Sequence, residues 1–379
     1  MQINRYLYNS ILHACFKSKV IVLLGARQVG KTTLMRQLQK AMDKPTKWLN
    51  ADEADIYKEL SEATTSTRLL ELIGKDNKVV FIDEAQQIPN IGRKLKLLHD
   101  TQPSLQIIVT GSSAFDLQDA TNESLTGRKR EFYIYPLAIN ELAENSSLLE
   151  EKRSLNRRLV YGSYPEIINN SGHEKEALLE IANSYLYKDV LKYEGVRKSS
   201  LLQKIVQAIA FQLGQEVRYH EIARSIGGVS PVTVEKYLDI LEKAFIIYKL
   251  PAFNRNMRTE IKKGKKYYFY DNGIRNVLIS NFSPIEIRTD LGALWENYIL
   301  AERLKHNAYT KNYCNTYFWR TEDQAEIDYL EEYDGTLHAY ELKWKPQHVR
   351  FPASFTKSYP EHTTDIIHKE NYTSFLDYP

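Results

Sequence analysis

The chain has 379 residues, a formal net charge of +3, 43% hydrophobic and 26% charged residues; it is longer than one hydrophobic core usually supports, which predicts two or three domains. Charge this close to balance excludes a chain-wide polyanion binder, so any nucleic-acid signal has to be local. Two cysteines, Cys15 and Cys314, lack CxxC spacing, which argues against a disulfide framework or a zinc cluster and fits a reducing, cytoplasmic compartment. No apolar run approaches eighteen residues and the first residues carry no secretion signal, so no membrane partner is expected.

The first element is "KVIVLL", residues 19–24, a β-branched apolar run that reads as a buried parallel strand. It leads into "GARQVGKTTL", in which Gly25, Ala26, Arg27, Gln28, Val29, Gly30, Lys31, Thr32 and Thr33 complete a GxxxxGK(S/T) pattern. The helix expected after it carries Leu34, Leu38 and Met42 on one face. Strand, glycine loop and helix together turn the pattern into a mechanism: the glycines let backbone N–H groups point inward, and the helix adds its positive dipole end. The expected ligand is a nucleotide's phosphate chain, with Lys31 on the β and γ phosphates, Thr32 on Mg²⁺ and Thr33 near the α phosphate.

"KVVFIDEAQ", residues 78–86, is a second buried strand ending in two acids. Asp83 fits the Mg²⁺ shell, and Glu84 fits the group that orients or deprotonates an attacking water. A third strand, "QIIVTGSSA", residues 106–114, ends in hydroxyls, and Thr110 or Ser112 is placed to sense the γ phosphate.

These stretches, with "ESLTGRKREFYIYPL" and "YGSYPEII" following in the same order, resemble the prokaryotic AAA-type P-loop ATPases that carry a C-terminal domain of unknown function. The resemblance implies ATP rather than GTP, Mg²⁺-dependent hydrolysis, and an arginine acting on the γ phosphate from the same chain or from a neighbour in an oligomer. Arg128 is the first candidate for it and Arg130 the second. The fold class expected is α/β: a P-loop NTPase core with a parallel sheet over residues 1–145, then a helical connector over 146–199.

Residues 200–282 read as a winged helix-turn-helix. "RYHEIARSIGG" is a short helix ended by glycines. "SPVTVEKYLDILEKAFII" starts with Ser230 as N-cap and Pro231 at the first helical position, and puts Val234, Tyr237, Leu238 and Leu241 on one face. "YKLPAF" and "KKYYFYDNG" supply two strands. Between them Arg255, Arg258, Lys262, Lys263, Lys265 and Lys266 stand against the single acid Glu260, a basic patch suited to DNA phosphates. Glu235, Asp239 and Glu242 on the second helix oppose a duplex, so a DNA-binding wing and a protein-binding or structural one both stand.

Residues 283–379 hold a second constellation. "LGALWENYILAERLKHN" is a helix bearing Glu296, followed by strands "NTYFWRT", "AEIDYLEE" with Asp328, and "TLHAYELKW" with Glu341 and Lys343. Side chains alternate along a strand, so Glu341 and Lys343 share a face. Helix Glu, strand Asp and Glu-x-Lys resemble the PD-(D/E)xK restriction-endonuclease-like fold, with Ile327 where a proline often precedes the Asp. The resemblance implies a second Mg²⁺ or Mn²⁺ on Asp328 and Glu341, with Glu296 and Lys343 assisting. Two functions follow: an ATPase acting on DNA through its C-terminal half, or a nucleotide switch that binds a protein partner and carries an inactive nuclease-like domain.

Overall fold

In the computed structural model the described residues are 3–111, 125–188, 190, 199–255, 264–321 and 323–376. Apolar β-branched runs such as Val20 to Leu24 are stable as strands only when both faces are covered, which is the situation in the middle of a parallel sheet. Strands β1 (Val20–Leu24), β2 (Thr46–Asn50), β3 (Val79–Asp83), β4 (Gln106–Gly111) and β5 (Lys129–Tyr133) form a sheet in the order β2-β3-β4-β1-β5, every neighbouring pair parallel. The three inner strands are buried along their whole lengths, whereas β2 and β5 at the edges are only partly buried. Those two edge strands carry Lys47, Lys129 and Arg130 and have no apolar run to announce them.

The helix after β1 spans Lys31–Lys40, so Met42 falls beyond its end, and Met35 joins Leu34 and Leu38 in the buried stripe. This sheet and its helices make one compact unit, residues up to Leu137 together with Lys243–Phe245.

The remaining residues, Ala138–Glu242 and Ile246–Pro379, make a second compact unit. It contains a small antiparallel sheet in the order β6-β8-β7, from β6 (Glu216–Val217), β7 (Ile247–Pro251) and β8 (Lys265–Phe269). Helices Tyr219–Ile226 and Pro231–Lys243 accompany it. Ser230 caps the second by accepting from the Thr233 N–H at 3.1 Å, and Val234, Tyr237, Leu238 and Leu241 are buried. A four-stranded sheet follows in the order β12-β11-β10-β9, from β9 (Asn315–Arg320), β10 (Glu326–Tyr333), β11 (Thr336–Leu342) and β12 (His362–Ile367). β9, β10 and β11 are antiparallel, and β12 runs parallel to β11. Its apolar face gathers Trp319, Ile327, Leu330, Leu337, Ala339 and Phe355.

The second unit is tied together by buried amides and one buried acid. Asp271 accepts from the N–H of Ser163 at 2.7 Å and of Ile274 at 3.2 Å. Asn276 donates to the carbonyls of Leu159 and Val160, which close the Leu148–Tyr161 helix, and Asn297 on helix Leu291–Thr310 pairs with both backbone groups of Phe269. Gly162 is required here, because a Cβ would collide with the Asp271 carboxylate. The connector, the small sheet and the long helix are therefore one polar-clamped body, in which Asp271, Asn276 and Asn297 each bond to a different segment.

Candidate functional site

Parallel strands deliver their carboxyl ends to one edge of a sheet, and in the first unit that edge collects the loop and both acids. Register alone does this: Leu24 pairs with Gly111, and Leu23 with Thr110. Gly25 follows with its Cα against the Ile134 carbonyl, where a Cβ has no room. Gly30, at φ 97°, turns the chain into the helix beginning at Lys31. The Lys31 ammonium donates to the carbonyls of Gly25 at 2.9 Å and Ala26 at 2.7 Å, so the lysine folds back over the loop. Thr32 and Thr33 are exposed in the first helical turn, and Ala26 and Val29 are buried beneath the loop, with Arg27 half-buried and Gln28 exposed. Arg5, from the N-terminal segment, buttresses the loop by donating to the carbonyls of Val29 at 3.3 Å and Tyr135 at 2.5 Å.

Thr110 is fully buried, and its hydroxyl donates to Asp83 Oδ1 at 2.5 Å while accepting from the Glu84 N–H at 3.0 Å. It fixes Asp83 and Glu84 rather than standing free beside the loop. Glu84 adopts a left-handed conformation (φ 52°), uncommon for a residue with a Cβ, and accepts from Gln86 Nε2 at 2.5 Å. Strain of this kind clusters at functional sites, which marks Glu84 as a candidate. Ser112 lies outside the described residues.

The arginine expected at the γ phosphate is placed elsewhere. Val20 donates its N–H to the Arg128 carbonyl at 2.8 Å, which puts Arg128 at the amino end of β1, whereas the loop follows the carboxyl end. Five strand residues separate the two, about 17 Å at strand rise. The guanidinium meets Asp100 instead, Nε to Oδ1 at 2.7 Å. Arg130, exposed and in register with Ile21, is also near the wrong end. Of the two routes left open, within one chain or from a neighbour, the parallel register places both arginines away from the loop of their own chain.

In the second unit the four residues chosen from sequence do come together. Asp328 sits where the β9–β10 register shifts between Ile327 and Leu330, and such a bulge re-aims a side chain. Its carboxylate accepts from the Leu342 N–H at 2.9 Å and from Lys343 Nζ at 2.8 Å, and Lys343 also meets Glu341 at 2.7 Å. Burial, with the Asp328 charge adding, pushes the Glu341 carboxyl up to about 7 against the pull of Lys343. Burial does the same to Glu296, also to about 7, against Lys266. Asp328 and Glu296 line one groove of about 460 Å³ with Lys343 and Trp344.

Sequence reading missed three members of this cluster. Lys266, only 2% exposed, meets Glu326 at 2.6 Å and Glu296 at 3.5 Å, and Tyr268 donates to Glu296 at 2.5 Å. Lys266 and Tyr268 are two apart on β8, hence on one face, and that period was the available signal. The expected second Mg²⁺ or Mn²⁺ does not fit these donors. Asp328 and Glu341 converge on Lys343, Glu296 and Glu326 converge on Lys266, and among the described residues no group of three or more His, Cys, Asp or Glu is arranged to hold a metal ion.

The basic patch is also redistributed. Lys266 is buried in that cluster and unavailable to DNA, and Lys265 pairs with Glu235 at 3.2 Å. Arg255 is exposed, with its guanidinium 5.0 Å from the Tyr359 ring centroid. Arg258, Lys262 and Lys263 lie outside the described residues. Glu242 pairs with Lys249 at 3.6 Å, so two of the three acids that opposed a duplex are already matched.

Residues 17–143 match the family model described as an AAA domain, so this part of the chain is similar to AAA-type P-loop ATPase domains. Residues 152–285 and 291–374 match two models, each described as a domain of unknown function, DUF8612 and DUF4143. An uncharacterized protein of Mycobacterium tuberculosis is 27% identical over 337 residues, 87% of this chain and 71% of that one. One from Haemophilus influenzae is 26% identical over 272 residues, 67% of this chain and 68% of its own. The replication factor C large subunit of Thermococcus kodakarensis is 25% identical over 169 residues, 44% of this chain and 29% of that protein. Among solved structures, a Walker-type ATPase of Pyrococcus abyssi aligns with a TM-score of 0.49 and 17% identity, over 73% of this chain and 96% of that one. No helix among the described residues is long and apolar enough to cross a membrane.

Proposed function

We propose that the protein is a Mg²⁺-dependent ATPase that couples nucleotide turnover to DNA binding by its C-terminal half, in the cytoplasm. The observation that carries the reading is the Asp83–Thr110–Glu84 linkage beside a glycine loop already closed over by Lys31. In binding, Lys31 exchanges two loop carbonyls for the β and γ phosphates, and the backbone from Gly25 to Thr33 encloses the chain of phosphates. Thr32 and Asp83 would hold Mg²⁺, which would offset the phosphate charge. Thr110 is a positioning residue, holding Asp83 in place, and Glu84 orients the attacking water. An arginine for the γ phosphate then comes from a second copy of the chain, with Arg128 or Arg130 supplied in trans.

For the second unit we read the helix pair with β6, β7 and β8 as a winged helix, and the helix Leu291–Thr310 with β9 to β12 as a PD-(D/E)xK-like module. The matching of Glu235 and Glu242 by lysines favours DNA over a protein partner, because it removes most of the repulsion a duplex would meet.

The test is the steady-state rate of ATP hydrolysis with and without duplex and single-stranded DNA, at low and physiological salt, with Glu84→Gln as blank. Hydrolysis lost in Glu84→Gln and Lys31→Ala, and stimulated by DNA in a salt-sensitive way, is expected. A rate indifferent to DNA throughout would remove the coupling and leave the ATPase.

A further inference from the structure

The acidic groove does not end at Lys343. It shares Leu291, Trp344 and Lys345 with a second groove of about 530 Å³, whose walls add Lys152, Lys369 and Glu286. Lys152, Lys345 and Lys369 are exposed and, among the described residues, have no acid within ion-pairing distance, whereas Arg288 in the same wall is buried and committed to Asp290 at 2.8 Å. Glu286 is the one acid of this wall, and Asn156 beside it donates to its carboxylate at 3.5 Å. At the junction stands Trp344, half-buried, its ring edge-on to Trp295 at 5.4 Å and its face 5.7 Å from the Lys369 ammonium.

Exposed cations flanking a fixed aromatic ring make the recognition chemistry of an unpaired nucleobase and its phosphates: the ring stacks the base, and the lysines follow the backbone. A duplex offers no unstacked base to such a ring. We propose that these two joined grooves are a binding track for single-stranded nucleic acid, in which Trp344 stacks a base, Lys345, Lys369 and Lys152 take the flanking phosphates, and no metal is needed at the lysine-matched acids of the far end.

Trp295, buried behind Trp344, holds the ring upright and limits its rotation. Lys369 is exposed and leaves the ring face for the phosphate that an incoming base brings. Lys343 stands between Asp328 and Glu341, and Lys266 between Glu296 and Glu326, so a strand passing that end meets acids that each have a cation beside them rather than bare negative charge. The proposal deepens the DNA-binding reading above by naming the surface and the strandedness.

The experiment uses the full chain in EDTA and a fluorescein-labelled 20-mer, single-stranded or as a duplex, with anisotropy followed across a salt series. Binding tighter for the single strand is expected. Trp344→Ala is expected to weaken it by roughly tenfold or more, the value of one lost stack. Lys345→Glu combined with Lys369→Glu is expected to lower the salt slope by about 1.4, since each single-strand phosphate contact contributes about 0.7. Because Trp344 supports Trp295, Trp344→Phe serves as the folded control and is expected to retain most of the affinity. Lys345→Ala, a change on an exposed side chain, must weaken binding without moving Tm.

Preference for the duplex, unchanged affinity in Trp344→Ala, or no binding of either oligonucleotide would overturn the track. If the track binds but DNA leaves ATP hydrolysis unchanged, the coupling fails and the track stands. If DNA stimulates hydrolysis equally in Trp344→Ala and in wild type, the coupling stands and the track fails.

Discussion

The phosphate loop of the first unit and the acidic groove of the second are built in opposite ways. The loop is a backbone device, nine consecutive residues shaped by Gly25 and Gly30, with Lys31 as the charged arm that folds back over it. The groove is a side-chain device whose charges come from β8, the Leu291–Thr310 helix, β10 and the end of β11; Lys266 and Lys343 each reach acids on other elements, and Lys343 also meets Glu341 two residues before it. A backbone device fails when room is taken away. A side-chain device fails when one charge is removed and its partner is left buried.

That contrast orders the expected effects. Gly25→Ala places a Cβ against the Ile134 carbonyl, which β5 pairing holds in place through the Ile134 N–H to Leu24. It is expected to reduce nucleotide affinity by roughly 100-fold, as displacing a binding loop by an ångström does; titration with a fluorescent ATP analogue reads this. Affinity within twofold of wild type would show that the loop tolerates bulk.

Lys266→Met removes the cation between Glu296 and Glu326 and leaves both acids without it. A loss of about 3 kcal/mol in urea unfolding is expected, with nucleotide affinity retained. Unchanged stability would mean that the acids protonate at no cost and that Lys266 is not what holds the groove.

Asp290 sharpens the same point through pH. Burial raises its carboxyl, but hydrogen bonds from Arg288 and Arg275 outweigh this and hold it at about 2. A depressed carboxylate stabilises the fold above its unfolded value near 4, and that contribution is lost as pH falls from about 4 toward 2. Asp290→Asn is expected to cost about 1 kcal/mol at pH 7 after solvent screening, and to flatten the acid limb of the stability profile between pH 4 and 2. An acid limb identical to wild type would assign the effect to other carboxylates.

The smallest effect is expected at Arg128. Its partner Asp100 is solvent-exposed and its position is remote from the loop of its own chain. Arg128→Ala is expected to leave Tm and the hydrolysis rate of dilute protein unchanged. A rate loss that appears only at concentrations where the chain self-associates would place the residue in trans.

How legible each site was follows from the same difference. The loop, Asp83 and Glu84 were readable because local backbone geometry and positions at the ends of apolar runs mark them. The Asp328, Glu341 and Lys343 set was readable as a pattern, since strand period puts Glu341 and Lys343 on one face. Lys266 was misread as a phosphate contact: a lysine in a basic run looks solvent-facing until β8 is paired and its neighbour Tyr268 is seen to share its face. The edge strands β2 and β5 were silent because half-exposed edges need no continuous apolar sequence.

Sequence by itself determined the inner strands, the phosphate loop and the residue types of both sites, because these depend on periodicity and on conformations only glycine adopts readily. Tertiary structure alone decided that Arg128 sits at the wrong end of β1, that Thr110 is bonded to Asp83, and that Lys266 occupies the acid cluster. Each of those is set by strand register and order, which join residues dozens to more than a hundred positions apart and are written in no local stretch of the chain.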